Sequence, residues 1–312
     1  MPISHTPTQN LESVLPKEKK KSETSFRITE PQYSLEDVIL PISTRKEVED
    51  AISLVENNDL IFNDWGLGQV IKHHNLCVNL YGASGTGKTM TAHGIAERLN
   101  KKLIVVNYAE MESKYVGETS KNIVSLFGYA EKNDAVILFD EADAMLSKRV
   151  TSIQSAADVS VNQTRNMLLK LLDEYAGIVV FTTNFIQNFD PAFFRRILSH
   201  IKFEMPDEDT RRKIWEHYLP PTLPLLDRNF VIGEICKIGN VTGADISNTV
   251  LKAAIKAARY KERITLEDIS GLVSQITKAK QDMEGKYEIT TRKVSAEYAM
   301  KQLGGEEKHG ND

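Results

Sequence analysis

The sequence predicts a doubly wound α/β domain on a five-stranded parallel sheet, followed by a small all-helical domain. Three observations carry this. First, five short apolar runs alternate with helical patterns: Leu76 to Tyr81, Leu103 to Val106, Ala135 to Phe139, Ile178 to Phe181, and Ile201 to Met205. Strands separated by helices pair in parallel through right-handed crossovers. Second, the first run leads into Gly82-Ala83-Ser84-Gly85-Thr86-Gly87-Lys88-Thr89, which fits the pattern G-x-x-x-x-G-K-[ST] at every fixed position. Third, only helical patterns follow Pro206.

Composition bounds the function classes. The 312 residues are 41% hydrophobic and 26% charged, as in a globular protein of about two domains. The longest apolar stretch, Ala135 to Phe139, falls far short of the ~20 residues that a bilayer requires, and no signal-like segment opens the chain, so no membrane role is expected. A formal net charge of -4 gives no general attraction to nucleic acid. Cys77 and Cys236 lie in apolar segments without ligand spacing, which fits buried thiols in a reducing cytoplasm.

Residues 1–30 are polar, with the run Lys17-Glu18-Lys19-Lys20-Lys21, and are expected to form a flexible arm. The α/β domain is expected over 31–206. It opens with the apolar segment Ser34 to Pro41 and a helix bearing Val48, Ile52 and Val55. In the Gly82–Thr89 stretch, glycines let successive backbone N–H groups face phosphate, Lys88 adds a positive charge, and the Thr89 hydroxyl suits Mg²⁺. A helix beginning at Met90 directs its N-terminal dipole at the same anion. The pattern therefore predicts a nucleoside triphosphate.

Downstream carboxylates follow the rule that ligands sit at strand carboxyl ends. The third strand ends in Asp140-Glu141, with Asp140 assigned to the metal and Glu141 to the attacking water. The fourth ends in Thr182-Thr183-Asn184, where an amide can hold that water or the terminal phosphate; standing alone, Asn184 reads as a turn residue. The helical domain, 207–301, contains Ile214, Trp215 and Tyr218, then capping boxes at Thr242-Gly243-Ala244-Asp245 and Thr265-Leu266-Glu267-Asp268. Residues 302–312 are polar and read as a mobile tail.

With Ser113-Lys114-Tyr115-Val116-Gly117-Glu118, Thr183-Asn184, Asp190-Pro191-Ala192-Phe193-Phe194-Arg195-Arg196 and Thr242-Gly243-Ala244-Asp245-Ile246 in this order, the stretch from about Tyr33 to Ile276 resembles one module of the AAA clade of the AAA+ ring ATPases. The resemblance implies ATP and Mg²⁺ as cofactors and a homohexamer. Gly82 to Met90, Asp37, Val38, Gly243 and Ala244 would contact nucleotide, and the Trp65-Gly66-Leu67-Gly68 region would help sandwich adenine. Lys114, Tyr115, Val116 and Gly117 would form a pore loop gripping a polypeptide, while Lys148 and Arg149 resemble a second pore loop. Arg195 and Arg196 resemble fingers that reach the neighbouring subunit's phosphate. The chain departs from the family after this pair, where Ile197-Leu198-Ser199-His200 replaces a further Gly-Arg-Phe; its lid carries Asp245 and no second-sensor arginine.

The implied activity is ATP-driven protein remodelling, with a client pulled through the pore. The format, one module behind about 30 polar residues, is similar to HORMA-domain remodellers and their bacterial antiviral counterparts. A contractile-injection ATPase is an alternative suggested by Trp65 to Gly68. A nucleic-acid loader or motor is the alternative class, disfavoured by the acidic balance and the aromatic pore loop. An inactive ATP-binding scaffold is disfavoured by the intact Asp140-Glu141 pair.

Overall fold

The strand that leads into the glycine-rich loop lies inside the sheet, hydrogen-bonded on both sides. The computed structural model describes residues 26–71, 76–107, 119–148, 156–185 and 189–282. Its strands are β1 (Ile28–Thr29), β2 (Leu76–Gly82), β3 (Lys102–Asn107), β4 (Ala135–Asp140), β5 (Ile178–Thr183) and β6 (Ser199–Phe203). They are ordered β1-β3-β4-β5-β2-β6. The five expected strands pair in parallel, so the doubly wound reading holds.

Two details differ from expectation. A sixth strand, β1, adds antiparallel to β3, pairing Ile28 with Ile104 and Thr29 with Leu103. Ile28 and Thr29, expected in the polar arm, thus join the sheet, and Phe26 and Ile28 pack against its core. Two residues are too few to show an alternation, so only the partner strand reveals them. The last strand also runs Ser199–Phe203 and not Ile201 to Met205, because β2 ends where Gly82 meets Phe203.

Alternation along each strand divides the core into two layers. Leu76, Val78, Leu80, Val136, Leu138, Val180 and Ile201 face α1 (Ile42–Glu56) and α2 (Lys88–Arg98), meeting Val48, Ile52, Ala92 and Ile95. Cys77, Ile137, Phe139, Val179 and Phe181 face α3 (Thr119–Lys132) and, beyond the single-turn α4 (Asp143–Leu146), α5 (Ala156–Glu174), meeting Ile123, Leu126, Leu168 and Leu172. Each such side chain, fully buried, contributes about 1.5–3 kcal/mol. With both faces covered, only strand ends remain open to a ligand.

A single-turn helix, α6 (Pro191–Phe194), precedes β6. The helical domain then packs α7 (Glu208–Tyr218), α8 (Arg228–Ile235), α9 (Gly243–Tyr260) and α10 (266–282) around Trp215, which is 1% exposed. The short α8 was not anticipated, although its N-cap Asp227 accepts from Phe230 N at 3.1 Å. Both expected capping boxes form. Asp245 accepts from Thr242 N at 2.8 Å, and Asp268 accepts from Thr265 N at 3.0 Å. Ile39, from the segment before α1, packs against this domain.

Candidate nucleotide site

The loop between β2 and α2 folds as the glycines require. Gly82 (φ 145°) abuts β6 so closely that a Cβ would lie 2.2 Å from the Phe203 carbonyl oxygen. Gly85 (φ 78°) abuts the helical domain, where a Cβ would lie 2.8 Å from both Ala244 Cβ and Thr242 Oγ1. Ala244 N donates to Gly85 O at 3.2 Å, so the helical domain is bonded to the loop through the backbone. Lys88 opens α2 and is 8% exposed. Its Nζ donates to Gly82 O and Ala83 O at 2.8 Å and to Asn184 Oδ1 at 3.1 Å. Burial pushes its pKa down, opposed by the charges of Asp143, Asp140 and Glu141.

Across the loop, the ends of β4 and β5 are joined by side chains. Thr89 Oγ1 donates to Asp140 Oδ1 at 3.0 Å. Thr182 Oγ1 donates to the same oxygen and accepts from Glu141 N at 3.0 Å. Glu141 is exposed and left-handed at φ 53°, a conformation that costs an L-residue about 1–2 kcal/mol. Strain of this kind collects at functional positions. Asp143 accepts from Asn184 N at 3.0 Å and Phe185 N at 3.1 Å, fixing the turn that carries the Asn184 amide. The Thr89 hydroxyl and Asp140 carboxylate are hard oxygen donors and fit Mg²⁺, which takes one or two protein oxygens alongside phosphate and water.

These groups open onto a cavity of about 420 Å³ between the α/β and helical domains. Ser84 to Met90, Asp140, Glu141, Asn184, Gly243 and Ala244 line it, as do Asp37 and Val38. Gly82 and Ala83 contribute their carbonyls to Lys88 from behind the lining. The Asp37 carboxylate accepts from Ser34 N and Oγ, which lowers its pKa and shapes the backbone beside Val38. Arg45 fixes the same segment, donating to Leu35 O at 3.0 Å and Val38 O at 3.3 Å. Lysine or arginine enters the described lining once, at Lys88.

Several expectations fall elsewhere. Trp65 is 67% exposed, and residues 65–68 do not line the cavity, so the adenine role expected of them is corrected. The π-helical turn Leu60–Asp64 precedes this stretch, whose 3₁₀ turn Leu67–Gln69 packs on it, with Gly68 beside the Phe62 carbonyl. Arg195 and Arg196 also lie outside their own chain's cavity. Lys114, Tyr115, Val116, Gly117 and Arg149 lie outside the described residues. Residues that sequence reasoning missed include Thr182 and Asp143, whose roles need the β4–β5 pairing, and the lid residues His217 and Asn248, which carry no local signal.

Comparison with known proteins agrees with this geometry. The model of the ATPase family associated with various cellular activities (AAA) matches residues 78–205. A 26S proteasome regulatory subunit homolog of Methanocaldococcus jannaschii is 30% identical over 272 residues, covering 82% of this chain and 70% of that protein. The chain belongs to the AAA family of ATPases. A proteasome-activating nucleotidase of Methanococcus maripaludis is 31% identical over 278 residues, which are 86% of this chain and 66% of the relative. The 26S proteasome regulatory subunit 4 homolog of Schizosaccharomyces pombe is 31% identical, over 81% of this chain and 57% of the relative. The chain thus spans about two thirds, or somewhat less, of these two relatives. In fold, the AAA domain of FIGL-1 superposes with a TM-score of 0.64 at 22% identity, covering 79% of this chain and 84% of that one. Membership of the AAA family implies nucleotide binding. No helix among the described residues is long and apolar enough to cross a membrane.

Proposed function

We propose that copies of this chain assemble head to tail into a hexameric ring, hydrolyse ATP at sites shared between neighbours, and use the energy to remodel a protein client. One observation carries the shared site. Lys88 is the sole lysine or arginine among the described residues lining the cavity, while Arg195 is exposed, outside its own cavity, and makes no side-chain bond to a described residue. A transferring phosphoryl group needs more positive charge than one lysine supplies, and an arginine from a neighbour can raise the rate by ~10³ or more.

Within one site each residue has a task. The loop N–H groups and Lys88 bind the β- and γ-phosphates, and the Asn184 amide, its oxygen bonded to Lys88, turns its N–H₂ to the γ-phosphate or the attacking water. Thr89 and Asp140 would hold Mg²⁺, which when bound would supply positive charge against the phosphates. Glu141 orients and deprotonates water. Val38 and the Gly243-Ala244 turn flank the base. Movement of the lid, bonded to the loop at Gly85, would be carried to Tyr115 and Val116, whose aromatic and apolar side chains grip extended polypeptide with little sequence preference. The relatives' proteasome names support a protein client, as does the resemblance of residues 113–118 to a pore loop.

The narrower client, a HORMA-type signalling protein, rests on the resemblance to HORMA-domain remodellers alone. The proteasome-named relatives make a compartmental protease the competing partner, and a contractile injection apparatus is a third. The test is the Glu141→Gln variant in ATP. It is expected to bind nucleotide, assemble, and lose turnover, and to copurify with the client it has engaged. Wild-type turnover in this variant would remove Glu141 from its role. Retention of nucleic acid and no protein would overturn remodelling.

A further inference from the structure

Arg195 and Arg196 are adjacent in sequence but differ in what holds them. Arg196 Nε and Nη2 donate to Asp173 Oδ1 and Oδ2, both at 2.8 Å, a bidentate pair to the end of α5. Its Nη1 donates to Ala192 O at 3.0 Å. All three contacts are within one chain, and reaching a neighbour's phosphate would break every one. Arg195 has no such tie, and only its backbone is held, N donating to Pro191 O at 3.3 Å.

The rest of this segment is anchored on both sides of Arg195. Phe193 and Ile197 are buried in the core at 0% and 4% exposure. Asp190 caps α6 by accepting from Ala192 N at 2.8 Å, and Leu198 N donates to Cys77 O at 2.9 Å. The His200 ring stacks on Phe194 with centroids 4.1 Å apart, its Nε2 hydrogen-bonding Phe194 O at 3.1 Å. The backbone at Arg195 is therefore fixed while its side chain remains free.

We propose that Arg196 is a positioning residue, not a second finger: with Asp173, and with His200 beneath Phe194, it clamps in cis the turn that presents Arg195 to the neighbouring copy. This rests on the shared-site reading above. The clamp holds Arg195 in register, so ordering its side chain is the sole adjustment left at contact. Displacement by 1 Å of a group that stabilises a transition state can cost ~10²-fold in rate.

The test is a double-mutant cycle on the full chain at concentrations where assembly is verified by sedimentation. Arg196→Ala and Asp173→Asn are each expected to lower kcat about tenfold or more with KM for ATP and nucleotide affinity nearly unchanged. The two together should be no slower than either alone, and neither should lower kcat further in an Arg195→Ala background. The reversed pair, Asp173→Arg with Arg196→Asp, should recover part of the loss. A further loss from Arg196→Ala in the Arg195→Ala background would show that Arg196 itself touches phosphate and would overturn the clamp. So would wild-type kcat in Arg196→Ala when Arg195→Ala is slow. Wild-type kcat in Arg195→Ala would instead overturn the shared-site reading, and the clamp with it. If Arg196→Ala fails to fold or assemble, Arg196→Lys, which keeps the charge and loses the fork, serves the same cycle with an intermediate kcat expected.

Discussion

Replacing Thr182 by valine tests how the catalytic end of the sheet is held. The residue is 2% exposed, and its hydroxyl links the carboxylate of Asp140 to the N–H of Glu141. Valine keeps the shape and removes both bonds. A hydrogen bond to a carboxylate contributes about 1.5–3 kcal/mol and a neutral one about 0.5–1.5 kcal/mol. The added apolar group returns about 0.8 kcal/mol. The net loss is therefore about 1–4 kcal/mol of stability, read as a lower urea midpoint at unchanged m-value. Function should suffer more than stability. The left-handed Glu141, at φ 53°, would keep only the neighbouring Ala142 N to Thr182 O bond at 2.9 Å to hold its turn. Relaxation of that turn would move the carboxylate from the water that Glu141 is proposed to activate, so kcat should fall at least tenfold while ATP affinity changes little. Thr182→Ser, which restores the hydroxyl, should recover most of the rate. Wild-type kcat in Thr182→Val would refute the idea that this hydroxyl poises Glu141.

Two other perturbations probe the cavity walls. Gly85→Ala places a methyl 2.8 Å from Ala244 Cβ and Thr242 Oγ1 at a left-handed φ of 78°, so the lid must shift. ATP affinity measured by calorimetry should fall about tenfold or more, and unchanged affinity would show that the contact is dispensable. His93 is 7% exposed and accepts from Gln32 N at 3.2 Å; burial pushes its pKa below the usual 6.5, opposed by the Asp140 charge. A depressed pKa gives stability that is complete above pH 6.5 and lost as pH falls through the folded value, so melting temperature should drop between pH 7.5 and 5. His93→Gln should flatten part of that slope, and an unaltered slope would assign it to other groups such as His200, which burial also shifts downward.

What the sequence disclosed follows the range of the interactions concerned. The loop from Gly82 to Thr89 and both capping boxes depend on residues within a turn of one another, so their spacing is visible directly. Strands β4 and β5 were legible because each is buried on both faces and shows as an apolar run, whereas β6 shows by alternation, with Lys202 exposed between buried Ile201 and Phe203. Thr182 and Asp143 were not, since their partners lie 41 to 42 residues away and nothing in an apolar strand's final Thr tells which backbone it will meet. The same limit explains Trp65 to Gly68, where a resemblance suggested adenine contact and packing against Phe62 turned the segment away from the cavity. Arg195 and Arg196 show the limit most sharply. As neighbours of one residue type they are indistinguishable until Asp173, 23 residues from Arg196, claims one of them.

Contacts among the described residues join the proposed nucleotide site to the segment that the shared-site proposal offers to the next copy. Asn184 and Phe185 hang from the Asp143 carboxylate at the start of α4. At the other end of that turn, Leu146 O accepts from Asp190 N at 2.9 Å, and Asp190 caps the helix before Arg195. Arg165, 3% exposed, donates to Ala144 O, Met145 O and Lys148 O, which locks the same turn against α5, the helix that also carries Asp173. Among the described residues, Asn184 and Arg195 are thus tied through α4 and its bonds to Asp190 and Arg165. Packed interiors transmit displacement in this way, but contiguity alone is not coupling; that requires an element with two arrangements. The lid is the part suited to supply it, since its own core is separate from the sheet's and Ala244 ties it to the loop at Gly85. On the shared-site proposal, a variant that disturbs the Ala244–Gly85 tie should alter nucleotide affinity in its own subunit, and one that disturbs the hold on Arg195 should alter turnover in the next.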